Sequence, residues 1–310
     1  MNYRHAYHAG NFGDVLKHVV LTLCLSHLKR KETPFRVIDT HAGCGLYRLD
    51  HGAAEKTGEW RAGIGRITGP DAEPLPGAVE DLLIPYLETI KAVNEPGRLT
   101  VYPGSPILAQ YALRPGDALI ANELHPDDNA ALKRALGGDR KCKVTDIDAY
   151  TALKASLPPK ERRGLVLIDP PFEEAGELIR MTEALNEGLV RFATGVYLLW
   201  YPIKDEKVTN RFGRKIAEVV AERGLEPALR VELLLRPLRN PLLLNGAGLV
   251  VVNAPYLLQE QLETVLPVLA QRLGDDRKGW HRIDVISAAK AVPSPLAART
   301  DGRRSRGQDD

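Results

Sequence analysis

Asp169, Pro170 and Phe172 are the residues of this chain whose types and spacing most directly suit chemistry. They stand in Asp169-Pro170-Pro171-Phe172, immediately after the apolar run Gly164-Leu165-Val166-Leu167-Ile168. A short, continuous apolar run bounded in this way reads as a buried strand of a parallel sheet. Proline cannot extend a strand ladder, so the strand must stop at Asp169. The stop leaves a carboxylate, a carbonyl and an aromatic ring at the carboxyl end of a central strand, where open α/β sheets bind their ligands. Two acceptors and a stacking face suit an exocyclic amine on a flat heterocycle, of which the N6 amine of adenine is an example. The same four residues equally suit a plain strand-terminating turn, so the rest of the chain has to decide.

Other acids fall at equivalent places. Phe35-Arg36-Val37-Ile38-Asp39 reads as a strand running into Thr40-His41-Ala42-Gly43-Cys44-Gly45, a glycine turn that lets backbone approach a ligand closely. The third glycine of a dinucleotide fingerprint would fall at position 48, which is Arg48, and this disfavours NAD. The predicted strand Ala118–Ala121 leads to Glu123, where the ribose hydroxyls of an adenosine-bearing ligand would be gripped. The strand Cys142–Thr145 leads to Asp146 and Asp148. Four consecutive strands therefore end in carboxylates at one edge of the sheet.

The elements that must position these groups follow from pattern. A helix begins after Gly13 with Asp14 as N-cap, buries Leu16, Val19, Val20, Leu23 and Leu28, and carries Lys17 and His18 in its first turns. From Asp50 to Tyr102 the α/β alternation is lost. That stretch reads as a small helical insertion after the first strand, in which Pro85 should kink or split the longest helix. Alternation resumes with a helix capped by Ser105, with Pro106 in its first turn. The late strands suit a sheet closed by an antiparallel hairpin, and Trp280–Ile286 reads as a last strand. The expected division is 1–49 for the N-terminal segment and first half of the site, 50–102 for the insertion and 103–290 for the rest of the sheet. The tail 291–310, rich in Pro, Gly, Arg and Asp, should be disordered.

Composition sets limits. The 310 residues are 44% hydrophobic and 26% charged, an ordinary globular balance, with 42 Lys and Arg against 40 Asp and Glu. A formal charge of +2 means that any nucleic-acid partner must be held by a local patch. Cys24, Cys44 and Cys142 form no Cys-x-x-Cys pair and fit a reducing cytoplasm. No apolar run reaches about 18 residues, so no membrane span is expected. His5, His8 and His18 crowd the N-terminus without the spacing of a metal site, and none is expected.

These motifs together resemble the amino-methyltransferases that use S-adenosylmethionine. More narrowly, the ordered set Tyr3-Arg4-His5, His8-Ala9-Gly10-Asn11, Asp14-Val15-Leu16-Lys17-His18, Tyr102-Pro103-Gly104-Ser105-Pro106, Glu123-Leu124-His125-Pro126, Arg191-Phe192-Ala193-Thr194-Gly195 and Leu199-Trp200-Tyr201-Pro202 resembles the RlmJ family of 23S ribosomal RNA adenine-N6 methyltransferases. The likeness reaches to about residue 286. It implies a Rossmann-like class I methyltransferase fold, with a mostly parallel seven-stranded sheet and helices on both faces. It also implies an enzyme that methylates adenine 2030 of 23S ribosomal RNA, free or in an assembling particle, and it implies no obligate protein partner; a cytoplasmic monomer is expected.

By the same resemblance, Lys17, His18, Asp39, His41, Gly43, Ser105, Glu123, Asp148 and Ala149 hold the cofactor, with Glu123 on its ribose, Asp148 near its adenine and Lys17 at its methionine end. Asp169, with Pro170 and Phe172, would be catalytic, and Tyr3 and Phe172 would lie against the target base. Phe172 stands where the motif more often has tyrosine, and Ala149 where glycine is common. A DNA adenine methyltransferase, a noncatalytic RNA-binding protein on the same fold and a metal-dependent hydrolase are the competing expectations.

Overall fold

Among the residues that the computed structural model describes, 5–288, the strands are β1 (Arg36–Asp39), β2 (Leu46–Arg48), β3 (Val101–Pro103), β4 (Ala118–Asn122), β5 (Cys142–Thr145), β6 (Gly164–Ile168), β7 (Val196–Ile203), β8 (Ala228–Leu234), β9 (Gly246–Val252) and β10 (Trp280–Ile286). The helices are α1 (Phe12–Lys29), α2 (Ala53–Thr57), α3 (Glu59–Ala62), α4 (Gly65–Thr68), α5 (Gly77–Ala92), α6 (Ser105–Ala112), α7 (Pro126–Ala135), α8 (Ala149–Ser156), α9 (Glu177–Arg191), α10 (Glu206–Glu222) and α11 (Leu258–Leu273). Tyr3 and the tail 291–310 lie outside the described residues.

Eight strands make one sheet in the order β10-β8-β9-β7-β6-β1-β4-β5. The five strands from β7 to β5 in that order run parallel. The other three pair antiparallel, and β10 adds an eighth strand to the seven expected. The central strands are apolar throughout because both faces are covered. Val37, Leu165, Leu167 and Leu198 turn to a core shared with α1, α5, α6 and α11, while Ile38, Val166, Ile168 and Leu199 turn to one shared with α9 and α10. The chain builds outward from β1 to β4 and β5, then crosses back to β6 on the other side of β1. The switch point thus lies between β1 and β6, where ligands of such sheets bind.

Helix α1 is buried from Phe12 to Leu25 between the sheet and α5, which explains why it is apolar nearly all round. Its N-cap is Asn11, whose Oδ1 accepts from the backbone N–H groups of Gly13 (2.9 Å) and Asp14 (3.1 Å). The expected cap, Asp14, lies inside the first turn. Likewise Gly104, and not Ser105, stands at the N-cap of α6. Helix α5 continues through Pro85 without splitting. The ribbon of β2 and β3, too short to read from sequence, pairs Tyr47 with Tyr102 and joins the two ends of the insertion. No described helix is long and apolar enough to cross a membrane.

Candidate active site

The acid edge of the sheet opens into a cleft of about 840 Å³, within the usual range for small-molecule sites. Lys17, His41, Gly43, Ser105, Glu123, Asp148, Ala149, Asp169, Pro170 and Phe172 all line it. His18 and Asp39 do not. Strand register explains Asp39: it sits opposite Ala121 and Leu167, so Glu123 and Asp169 each lie two residues further along their strands. Asp39 is buried, accepting a hydrogen bond from Ser105 Oγ at 2.7 Å. His18 is also buried, its Nδ1 hydrogen-bonded to the Tyr102 hydroxyl at 2.7 Å and its ring stacked on Tyr102, while Nε2 has no partner.

At the other end of the cleft, Lys17 is held between two carboxylates, Asp14 at 2.8 Å and Asp169 Oδ2 at 2.5 Å. Burial opposes the ammonium charge, but the field of Asp14 and Asp169 overrides it and carries the pKa of Lys17 above its ordinary value. Burial likewise pushes the Asp14 carboxyl up, and His5 and Lys17 reverse this to hold it well below the usual carboxylate range. Asp14 Oδ2 also accepts from His5 Nε2 and from the Gly10 backbone N–H, both at 2.9 Å. Lys17 takes Asp169 Oδ2, which leaves the other oxygen, Oδ1, outside this pair.

One buried carboxylate therefore ties the segment before α1, through Lys17, to the Asp169 corner. Asp14→Ala is expected to lower stability by about 3 kcal/mol, since it orphans a buried N–H and strips one partner from a buried cation. Urea unfolding checks this, and a loss below about 1 kcal/mol would contradict it.

Phe172 adopts φ +54°, a conformation that is costly for a bulky residue and tends to cluster at functional sites. Its ring meets Trp200 edge to face at 5.8 Å. On the side of β4, Glu123 is fixed from both ends: Gly43 N–H donates to Oε2 at 2.9 Å and His125 N–H to Oε1 at 2.8 Å. Burial raises its pKa. Gly43 holds φ +62°, and a Cβ there would fall 2.0 Å from the Tyr47 hydroxyl. Asp148, exposed, caps α8 through Thr151 N–H at 2.8 Å and leaves an acid at the cleft mouth.

Burial lowers the His41 pKa to about 4, against the nearby Asp169, Glu177 and Asp148, so the ring is neutral near pH 7. The Thr40 hydroxyl donates to Leu167 O at 2.9 Å and lies 2.8 Å from His41 Nδ1. That network assigns the ring proton to Nδ1 and makes Nε2 an acceptor.

Burial pushes Asp39 up to about 6, against the Ser105 hydrogen bond and the Lys17 charge. The folded value exceeds the ordinary 3.8. The folded protein thus keeps a proton that the unfolded chain releases between about pH 4 and pH 6, and stability from this group falls as pH rises through that window. Asp39→Asn retains an acceptor for Ser105 and removes the charge. Relative to the wild type it should gain about 2–3 kcal/mol between pH 4 and pH 7.5 in urea unfolding; a difference independent of pH would contradict the assignment.

Sequence reasoning missed several groups that line the cleft. His5 and Asn11 come from the segment leading into α1, and Tyr150, Glu177 and Arg180 form a cluster above His41. Tyr150 donates to Glu177 at 2.5 Å, and Arg180 pairs with both Glu177 and Glu174. The readable signal was an i,i+3 spacing of acid to base, shared by Asp14 with Lys17 and Glu177 with Arg180. The three N-terminal histidines take separate partners: His5 on Asp14, His8 on Glu59 and His18 on Tyr102.

The family model described as Ribosomal RNA large subunit methyltransferase D, RlmJ, matches residues 32–286. The chain belongs to the RlmJ family. The protein from Haemophilus influenzae named Ribosomal RNA large subunit methyltransferase J is 40% identical over 288 residues, covering 93% of this chain and 99% of that relative. Its namesake from Escherichia coli is 41% identical over 273 residues, covering 88% and 94%. Among solved structures, protein LPL1258 from Legionella pneumophila aligns with a TM-score of 0.78 at 33% identity, over 90% of this chain and 99% of that one. The fold is that of an RlmJ-type class I methyltransferase, with β10 as an eighth strand and helices α2 to α5 between β2 and β3.

Proposed function

We propose that this RlmJ-family protein transfers a methyl group from S-adenosylmethionine to the N6 amine of an adenine in 23S ribosomal RNA, the position numbered adenine 2030 in the family. The observation that carries this reading is the Asp169 corner: a carboxylate with one oxygen pinned by Lys17 and the other free, followed by Pro170, whose carbonyl follows in the same turn, and the ring of Phe172.

The donor set fits the cofactor. Glu123, held by two backbone N–H groups, keeps lone pairs for a ribose diol. His41 Nε2, Ser105, Asp148 and Ala149 line the same cleft. Carboxylates outnumber cations there, as suits a ligand bearing a sulfonium and an ammonium. His18 and Asp39 would act from behind this wall, Asp39 by orienting Ser105. When bound, S-adenosylmethionine supplies an electrophilic methyl group on a positively charged sulfur.

The chain's own residues address the weakness of the nucleophile, since the N6 lone pair is delocalised into the purine. Asp169 Oδ1 and the Pro170 carbonyl accept the two N6 hydrogens, localise that lone pair and orient it before reaction. Lys17, buried against Asp169, fixes the rotamer of the carboxylate. Phe172, braced by Trp200, stacks on the extruded base at about 1–3 kcal/mol. Asp169 then takes the proton released from the methylated nitrogen and passes it to water. By the family resemblance, Tyr3 is proposed to lie against the target base.

The test is transfer of labelled methyl from S-adenosylmethionine to unmodified 23S ribosomal RNA, with duplex DNA alongside. Label in RNA alone supports the reading. Label in DNA would favour a DNA methyltransferase, and label in neither would leave an RNA-binding protein.

A further inference from the structure

Between β8 and β9 the chain runs Leu235-Arg236-Pro237-Leu238-Arg239-Asn240-Pro241-Leu242-Leu243-Leu244-Asn245, and the proposed reaction does not use this loop. Its outermost residues are apolar: Leu242 is 85% exposed and Leu243 44%. A lone exposed leucine is unremarkable, but these sit on a turn built to present them. Asn240 Oδ1 accepts from Leu242 N–H at 3.0 Å. Asn245, fully buried, donates through Nδ2 to Asn240 O at 2.8 Å and to Lys204 O at 3.1 Å, and its backbone N–H bonds Ile203 O at 2.9 Å. Pro241 stiffens the tip.

The loop adjoins the cleft, because Leu244 lines it together with Lys204, Pro202 and Trp200, the residue that braces Phe172. It is flanked by cations. Neither Arg239 nor Lys204 has an ion-pair partner among the described residues, and an exposed cation beside an apolar tip suits a phosphate backbone.

We propose that Leu242 is a wedge that enters the base stack of the RNA and fills the gap left by the extruded adenine. The inference rests on the RNA methyltransferase reading and extends it to how the base is exposed. Extrusion costs a few kcal/mol of stacking, and apolar side chains inserted between base steps are the usual compensation. Arg239 and Lys204 would hold the phosphates on either side of the gap.

The experiment compares Leu242→Ala, Leu242→Met and wild type on two substrates: folded 23S ribosomal RNA, and short single-stranded oligonucleotides from the region that the wild type labels. Leu242→Ala should lower the transfer rate at least tenfold on folded RNA and change it less than about twofold on the oligonucleotides, where no stack has to be opened. Leu242→Met, which keeps an apolar volume, should restore most of the rate. Because the side chain is exposed, all three proteins should unfold at the same urea concentration. Equal losses on both substrates, or no loss on either, would overturn the wedge. No transfer by the wild type to any RNA would overturn the methyltransferase reading itself and the wedge with it.

Discussion

Asp169→Ala is expected to lose methyl transfer by roughly a thousandfold or more while binding S-adenosylmethionine within about threefold of wild type. The two effects should separate because, on the proposed reading, the carboxylate faces the target amine, whereas Glu123 and Asp148 follow β4 and β5 on the other side of β1. Oδ2 is committed to Lys17 at 2.5 Å, so the carboxylate's share of the proposed acceptance falls on Oδ1, beside that of the Pro170 carbonyl. Asp169→Asn sharpens the test. The amide oxygen can still accept from Lys17, but the position facing N6 then becomes a donor, and two donors cannot satisfy one another. Asparagine should therefore be nearly as inactive as alanine, despite its matching shape. Lys17, which also pairs with Asp14 at 2.8 Å, should retain that partner in either variant, which protects the fold. Single-turnover transfer and calorimetric cofactor binding check both halves, and turnover by Asp169→Asn near the wild-type rate would sink the role assigned to the carboxylate.

Glu123→Ala should show the reverse pattern. Hydrogen bonds to a charged acceptor contribute about 1.5–3 kcal/mol each, so loss of the two proposed ribose contacts should weaken cofactor binding by at least about a hundredfold. At saturating cofactor the transfer rate should stay within a few-fold of wild type, because Glu123 follows β4, on the other side of β1 from the proposed Asp169 corner. The variant also removes the acceptor for Gly43 and His125 N–H groups, and Glu123→Gln restores one amide oxygen for that purpose. Glutamine should recover part of the affinity. A fall in saturated rate without loss of affinity would move Glu123 out of the cofactor half of the cleft.

Much of this arrangement was legible in the sequence because the parallel strands are short apolar runs that stop abruptly. Asp169 could be placed from Pro170 and Pro171 alone, and Glu123 from the strand before it. Depth was not legible. Asp39 belongs to the same edge, but its register against Ala121 and Leu167 sets it two residues below its neighbours, and pairing register cannot be read from one strand. Lys17 was readable as a cation on the first turn of α1, yet its commitment to Asp169 spans 152 residues of chain and leaves no local trace. The cap of α1 went to Asn11 because the Asp14 carboxylate is taken by Lys17, His5 and Gly10. The contact of Tyr150 with Glu177 joins two helices, so neither sequence pattern announces it.

The most direct measurement of the central claim is mass spectrometry of the nucleosides from unmodified 23S ribosomal RNA after incubation with the protein and S-adenosylmethionine. The account predicts a single new product, N6-methyladenosine, absent when Asp169→Ala replaces the wild type. A methyl group found on a ring carbon, on a ribose hydroxyl or on another base would contradict it, because the acceptors at Asp169 and Pro170 would then face the wrong atom.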